Sequence, residues 1–216
     1  MNLTEALFET IKFEVQSRFR GAKGSHDWEH TERVLALAER IGADEGADLG
    51  IVRLATVLHD IGRAEEDLSN GTLDHAARGA ELARTLLGRH HLEPAVIDAV
   101  AHCISTHRFR KGPAPETLEA KVLFDADKLD AIGAVGIGRA FLFAGEVGAK
   151  LHNPRPDIEE TPAYSPEDTA YREYRVKLRH VRERILTASG KRLAEERHAF
   201  MESFFNRLDQ EISGTL

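Results

Sequence analysis

The stretch Leu54–Glu66, LATVLHDIGRAEE, joins an apolar run to a histidine and an aspartate that stand side by side. The apolar run is typical of a buried helix, and Gly62 is a helix-ending residue shortly after it. We therefore predict a helix over residues 49–60 that carries His59 and Asp60 at its end. Adjacent helical residues point in different directions, so these two side chains can share an ion only if it lies between them.

Apolar residues recur at helical spacing along most of the chain, and no alternating pattern of a strand is convincing. Ser25 is a predicted N-cap of the second helix, and Pro94 suits the first turn of another. The predicted helices are one through Leu3–Val15, one through Val34–Ile41, 49–60, one from Asp74–His75 to near Gly88, 95–106, 118–129, 132–147, 171–187 and 191–212. The sequence therefore predicts an all-α protein.

Residues 152–167, HNPRPDIEETPAYSPE, contain four prolines, which break regular structure. We predict a long surface loop there, as a lid or as a contact in a homodimer, and leave the choice open. We expect one domain over residues 1–216, in which the C-terminal helices of 168–213 pack on the preceding core.

The composition narrows the function classes. Hydrophobic residues make up 42% and charged residues 30%, as in soluble proteins. The net charge of -7 argues against an extended nucleic-acid-binding surface, so an anionic substrate would need a local cluster of cations. A single cysteine, no secretory signal pattern and no membrane-length apolar run predict a cytoplasmic protein.

Four groups of histidine and carboxylate residues suggest a metal site. They are His26–His30 (HDWEH), His59–Asp60, Asp74–His75 and Asp125–Asp130 (DADKLD). Imidazole favours transition ions and carboxylate favours harder ones, so a mixed set suits a divalent cation between these extremes. Taken alone, a histidine and an aspartate side by side have an ordinary explanation as a helix cap.

The order of these groups resembles the HD superfamily of metal-dependent phosphohydrolases, whose signature is H…HD…D. The matching segments are SHDWEHTERV (25–34), LHDIGR (58–63) and DADKLDAIGAVGIGRAF (125–141). The segment TASGKRLAEERHAFMESFF (187–205) is also similar to the smaller bacterial HD hydrolases. The resemblance implies an HD-domain helical bundle, and it is a poor guide to the substrate.

Carried over by position, the resemblance implies four metal ligands: His30, His59, Asp60 and Asp127. Asp125 and Asp130 compete for the last role, which the family pattern assigns to the aspartate before Lys128. Asp130 would otherwise orient a ligand or water as an outer partner, and His26, four residues before His30, would reach the same pocket. The plainer reading of His26 is a pair with its neighbour Asp27.

Some HD phosphodiesterases hold two metals and add histidines between the HD pair and the last aspartate. Here HAARG (75–79) and HCISTHRF (102–109) supply the candidates His75, His102 and His107. The paired histidines of the binuclear group are absent, however. In the alternative, His75 caps its helix or lines the pocket, and His102 sits on a helix flank.

A phosphate substrate needs positive charge nearby. Arg33 shares a helix face with His30, Arg63 follows the HD pair, and Lys128 follows Asp127, so each is a candidate phosphate ligand. The ordinary role of a single arginine or lysine is a solvated surface charge. Arg108, Arg110 and Lys111 are candidates for a basic rim of the pocket, although they are more typical of a polar loop.

For three further features we prefer an ordinary structural interpretation to a functional one. The run Glu65–Asp67 would supply a general acid or position water, but such runs usually face solvent. Trp28 would stack a base, although core packing is its commoner role. Cys103 lies among apolar helical positions and is predicted to be core.

The resemblance predicts a phosphohydrolase that uses metal-activated water, with Asp60 both binding the ion and orienting the water. Its expected substrate is a small phosphorylated molecule, and we favour a nucleotide: a phosphomonoester, a phosphodiester, or a triphosphate cut to monophosphate and pyrophosphate. The metal is left open among Mn²⁺, Mg²⁺, Co²⁺, Ni²⁺, Fe²⁺ and Zn²⁺. The alternatives are a non-catalytic HD module that binds nucleotide or metal, and a di-iron oxygenase on an HD-like scaffold.

Overall fold

The computed structural model describes residues 3–19, 28–69, 72–108, 113–154 and 157–216. In these ranges every regular element is helical, which confirms the all-α prediction. The α-helices are α1 (Glu5–Arg18), α2 (Trp28–Glu45), α3 (Leu49–Leu58), α4 (Arg63–Leu68), α5 (His75–Arg89), α6 (Pro94–Thr106), α7 (Leu118–Leu129), α8 (Gly133–Glu146), α9 (Ala170–Val176) and α10 (Ala188–Ser213), with 3₁₀ helices at Ile158–Glu160 and Leu178–Arg184. None of these helices has the length and apolar character required to cross a bilayer.

Two predicted helices end or divide differently in the structure, and one short helix is additional. The helix expected over residues 49–60 ends at Leu58, so His59 is its C-cap and Asp60 lies in the turn. The helix expected over 171–187 is wrong as one element, because Lys177, with φ -137° and ψ -57°, separates α9 from a 3₁₀ helix. The short helix α4 was not predicted. The N-cap assigned to Ser25 lies outside the described residues.

The described residues form two compact units, of which the first comprises Met1–Asp127 and Leu186–Ser189. Within this unit α3 packs against α1, α2 and α6, while α5 packs against α4 and α6. Helix α3 is buried almost all round: Val52 and every residue from Leu54 to Leu58 are inaccessible to solvent or nearly so. The HD pair at the end of α3 therefore emerges inside the protein rather than at its surface.

Aspartate side chains cap the first turns of two helices of the first unit, α3 and α5. The Asp48 carboxylate accepts from the N–H groups of Gly50 (2.9 Å) and Ile51 (3.3 Å) at the start of α3. Asp74 does the same for α5, accepting from the N–H of Ala76 at 2.8 Å. Each cap is worth about 1 kcal/mol, and the Asp74 cap fixes where His75 enters α5.

Gly62 permits a close approach between the turn after α3 and the first turns of α5. A Cβ at this position would lie 2.6 Å from the His75 carbonyl oxygen and 2.9 Å from the Gly79 nitrogen. Both obstacles are backbone atoms, which cannot rotate away as a side chain would. The glycine therefore brings Asp60 and His75 together.

The second unit comprises Lys128–Ile185 and Gly190–Leu216. Within it α9 packs against α8 and against both 3₁₀ helices. Aromatic rings form part of its core, with Tyr174 stacked on Phe205 at a centroid distance of 4.5 Å. Whether the two units act as one domain over residues 1–216 remains a prediction.

Candidate metal centre

Three side chains from distant parts of the chain form the first ligand group: His30, His59 and Asp127. The Nε2 atoms of His30 and His59 lie 3.3 Å apart, and His30 Nε2 lies 3.5 Å from Asp127 Oδ1. The histidines come from α2 and the end of α3, and Asp127 from α7. Both imidazoles are buried, while Asp127 keeps part of its surface open to solvent.

A second ligand group comprises Asp60, His75 and His107, all of them buried. His75 Nε2 lies 3.1 Å from Asp60 Oδ1 and 3.3 Å from His107 Nε2. His107 Nε2 lies 3.7 Å from the same carboxylate oxygen. His75 is the first residue of α5, and His107 is the C-cap of α6.

Asp60 lies between the two groups. Its Oδ1 atom faces His75 and His107, whereas its Oδ2 atom is 3.6 Å from His59 Nε2. One carboxylate thus presents an oxygen to each group, as the shared ligand of a two-metal site does.

Hydrogen bonds on the far side of the rings determine which nitrogen faces the groups. His59 Nδ1 lies 2.7 Å from the Thr56 carbonyl oxygen, and His107 Nδ1 lies 2.7 Å from the Ile104 carbonyl oxygen. A carbonyl oxygen can only accept, so both Nδ1 atoms carry the proton. In the neutral ring, Nε2 then presents a lone pair to the ligand group.

His75 is held in the same way by a carboxylate. Its Nδ1 atom donates to Glu66 Oε2 at 2.6 Å. A carboxylate behind a histidine is a common outer partner of metal-binding imidazoles, because it fixes the tautomer and increases the basicity of the ligand.

These donor sets fit a divalent cation. Lone pairs that converge within 3.1–3.7 Å repel one another unless positive charge lies among them. Two ligand atoms about 2.1 Å from one ion are separated by about 3.0 Å in an octahedron and about 3.4 Å in a tetrahedron. Mixed imidazole and carboxylate ligands favour transition ions such as Mn²⁺, Fe²⁺, Co²⁺, Ni²⁺ or Zn²⁺.

The protonation states agree with this fit. Burial lowers the pKa of His59 to about 4, although the neighbouring Asp60 carboxylate favours the charged ring. His59 is therefore neutral at pH 7. Partial burial alone would raise the pKa of Glu66, but its hydrogen bond from His75 and its pair with Arg108 outweigh burial and lower that pKa to about 2.

Two arginines lie beside the ligand groups. Arg63 Nη2 is 3.6 Å from Asp60 Oδ2, and its Nη1 donates to Glu66 Oε2 at 3.1 Å. Arg108 Nη1 donates to the other oxygen, Glu66 Oε1, at 2.7 Å. Glu66 therefore joins both arginines to His75. The prediction that Glu66 faces solvent is wrong, and Arg108 is bound to Glu66 rather than being only part of a polar loop.

The two carboxylates that compete with Asp127 have other partners. Asp125 is fully buried and accepts from the N–H groups of Leu186 and Thr187 and from the Thr187 hydroxyl. Asp130, in the second unit, accepts from Arg139 Nη1 at 2.6 Å. The role of Asp130 as an outer partner of a ligand or water stays a prediction.

Of the histidines proposed for a second metal, His75 and His107 reach the second ligand group and His102 does not. The imidazole of His102 is half-buried, and its Nε2 accepts from the Glu116 N–H at 3.3 Å. This corrects the assignment of His102 to the pocket. His26, Arg110 and Lys111 lie outside the described residues.

The remaining predicted residues are placed as follows. Arg33 on α2 and Lys128 on α7 are half-buried, and their proposed roles stay predictions. Cys103 is fully buried, as predicted for a core residue. Trp28 is half-buried rather than a core residue, and its Nε1 donates to Glu32 at 2.9 Å.

Comparisons with known proteins identify the family of this chain. The family model for the HD domain matches residues 27–132, which contain both ligand groups. The Bacillus subtilis (strain 168) protein YpgQ is 36% identical over 211 residues, covering 95% of this chain and 94% of YpgQ. The chain belongs to the HD superfamily of hydrolases.

Solved structures show the same fold. The crystal structure of Bacillus subtilis YpgQ in complex with ADP aligns with a TM-score of 0.72 and 33% identity, over 96% of this chain and 98% of that one. A predicted HD superfamily hydrolase from an uncultured Thermotogales bacterium aligns with a TM-score of 0.70 and 31% identity, over 98% and 99% of the two chains. Ribonuclease Y of Chloroflexus aurantiacus is 32% identical over 121 residues, which are 56% of this chain and 21% of that enzyme.

Proposed function

We propose that this HD-superfamily protein is a metal-dependent phosphohydrolase that acts on nucleotides. The observation that carries the proposal is the convergence of imidazole Nε2 atoms and carboxylate oxygens around Asp60, with the Nδ1 proton of three histidines held on the opposite side. Such a set is suited to holding cations rather than to filling a core, because buried lone pairs that face one another are unfavourable.

Each ligand group would hold one divalent cation, with Asp60 shared between them. When bound, the cations would lower the pKa of a water and polarise a phosphoryl oxygen. Asp60, the residue shared by both groups, would orient that water. Arg63, 3.6 Å from Asp60, would neutralise charge that develops on the leaving phosphate groups.

Arg33 and Lys128 remain proposed phosphate ligands on the basis of sequence position. Arg33 follows the ligand His30 by one helical turn, and Lys128 directly follows the ligand Asp127. Their contribution would be positive charge near the substrate, which guanidinium and ammonium groups supply without a proton transfer.

Two findings support a nucleotide as the substrate. YpgQ, similar over nearly its full length, has been crystallised in complex with ADP. In this chain, Arg63 and Arg108 lie beside the ligand groups, and guanidinium groups are suited to binding phosphate. Hydrolysis of a triphosphate to monophosphate and pyrophosphate is the reaction we test first.

The test is a panel of nucleoside mono-, di- and triphosphates, assayed with Mn²⁺, Mg²⁺, Co²⁺ or Ni²⁺ and followed by chromatography of the products. We expect metal-dependent turnover of at least one nucleotide, and none with Asp60→Ala. Absence of turnover from protein with confirmed bound metal would contradict the proposal.

The same assay separates the alternatives. Tight nucleotide binding without hydrolysis would favour a non-catalytic HD module. Two irons per purified chain together with oxygen consumption would favour a di-iron oxygenase. A short RNA belongs in the panel because of the similarity to ribonuclease Y, although the net charge of -7 disfavours an extended RNA-binding surface.

A further inference from the structure

Arg63 and Arg108, which we call the arginine pair, are separated by 45 positions in sequence yet bind opposite oxygens of one carboxylate. Arg63 Nη1 donates to Glu66 Oε2 at 3.1 Å, and Arg108 Nη1 donates to Glu66 Oε1 at 2.7 Å. All three side chains are largely buried, with 13% to 22% of the side-chain surface exposed. They are therefore not an ordinary surface ion pair.

Each arginine is also tethered to a member of the second ligand group. Arg63 follows Asp60 by three residues and approaches its carboxylate, and Arg108 directly follows His107. Glu66 itself holds His75. The arginine pair is thus fixed relative to all three members of that group.

The guanidinium of Arg108 has donors to spare within the part of the chain that the structure describes. Its contacts there, to Glu66 at 2.7 Å and to Asp74 at 3.3 Å, are both made by Nη1. A guanidinium carries five N–H donors in a rigid fork, and its Nε–Nη2 edge matches two oxygens of a phosphate.

We propose that the arginine pair is a binding site for the phosphate chain beyond the attacked phosphorus, with Glu66 as the residue that positions it. The inference rests on the proposed function in taking a phosphorylated substrate at this site. Without a carboxylate between them, two guanidinium groups would repel each other and rotate apart. Glu66 therefore acts through the arginines rather than on the substrate itself.

The proposed role of Glu66 predicts an unusual direction for the change in polyanion affinity on substitution. Removal of a negative charge beside a polyanion ordinarily strengthens its binding. If Glu66 positions the arginine pair, Glu66→Gln weakens polyanion binding instead. Without the carboxylate, neither guanidinium group is held in the orientation that binds the polyanion.

The experiment measures binding of inorganic tripolyphosphate to the full chain by titration calorimetry at fixed Mg²⁺, which requires no turnover. We expect Arg108→Gln and Glu66→Gln each to weaken binding roughly 10- to 100-fold, as expected for a lost charge-assisted hydrogen bond. We expect Arg84→Gln, an exposed residue of α5 paired with Asp98, to stay within about 2-fold of the unmodified chain. In the Arg108→Gln background, the further effect of Glu66→Gln should be much smaller.

Three results would overturn the inference: no tripolyphosphate binding by the unmodified chain, unchanged affinity in Arg108→Gln, or tighter binding in Glu66→Gln. Thermal unfolding of each variant identifies any that fails to fold, and Arg108→Lys then replaces Arg108→Gln, since lysine keeps the charge without the fork. Failure of the nucleotide panel with tripolyphosphate binding intact would count against the proposed function alone.

Discussion

The first and second ligand groups share the end of α3 but recruit their other members differently. His30 and Asp127 reach the first group from α2 and α7, and both belong to the signature H…HD…D. His75 and His107 reach the second group from α5 and α6, and Glu66 supports it from behind. The first group can thus be recognised from its motif, whereas the second depends on how α3, α4, α5 and α6 pack.

The largest effect is expected from removing the residue common to both groups. Asp60→Ala should abolish retention of divalent cations and lower nucleotide hydrolysis by at least about 10³-fold, because both sites lose a charged ligand. Metal analysis after dialysis and steady-state kinetics measure the two effects. Asp98→Ala, which removes an exposed carboxylate of α6, is the matched control.

If Asp60→Ala retained the metal of the unmodified chain, the carboxylate would not be a ligand. If the variant lost its helical circular dichroism, its role would be chiefly structural. Asp60→Asn would then be measured, since it keeps the shape of the side chain.

Single histidine variants separate the two groups. His30→Ala should leave one ion in the second group, and His75→Ala should leave one in the first, each with roughly 100-fold lower activity. The number of Mn²⁺ ions per chain, measured by mass spectrometry after buffer exchange, checks this. If His75→Ala held as much metal as the unmodified chain, the second group would hold no ion and the centre would contain a single ion.

Gly62 tests whether packing holds the second group together. Gly62→Ala places a methyl group against the backbone of α5, so we expect a loss of about 1–3 kcal/mol in the free energy of unfolding. Gly88→Ala, later in α5, has no atom within 4 Å of the new Cβ. That control should instead raise the free energy of unfolding by roughly 0.5–1 kcal/mol. Chemical denaturation measures both, and equal effects would contradict the role of Gly62.

The smallest expected effect concerns Cys103, on the helix that delivers His107. Burial raises the pKa of the Cys103 thiol to about 12, so almost no thiolate forms at pH 8. A disulfide reagent should therefore react very slowly with the native chain and promptly in denaturant. His75→Ala should keep this protection, because α6 does not depend on that side chain. Fast labelling of His75→Ala would show that the second group holds α6 in place.

Much of the first group could be predicted because its residues belong to a motif of fixed order. His30, His59 and Asp127 converge in the structure as the order of the signature implied. The prediction of α3 also succeeded, apart from its last two residues, because most of its residues are apolar. The ending at Leu58 was not predictable from helical periodicity, since His59 still has helical dihedral angles.

The second group could be predicted only in part. His102 and His107 are five positions apart, which places them about 140° apart around a helix, so one of them at most faces Asp60. Nothing in the sequence indicated which one. The sequence predicts a solvated Glu66, because Arg108, to which it is hydrogen-bonded in the structure, lies 42 positions later in the chain. The one local signal was Arg63, three residues before Glu66 on the same helical face.

Anomalous diffraction from crystals grown with ample Mn²⁺ would locate the cations themselves. We expect two anomalous peaks flanking the Asp60 carboxylate, one among His30, His59 and Asp127 and the other between His75 and His107. No peak at either group, with the six side chains free of any shared ion, would contradict that expectation.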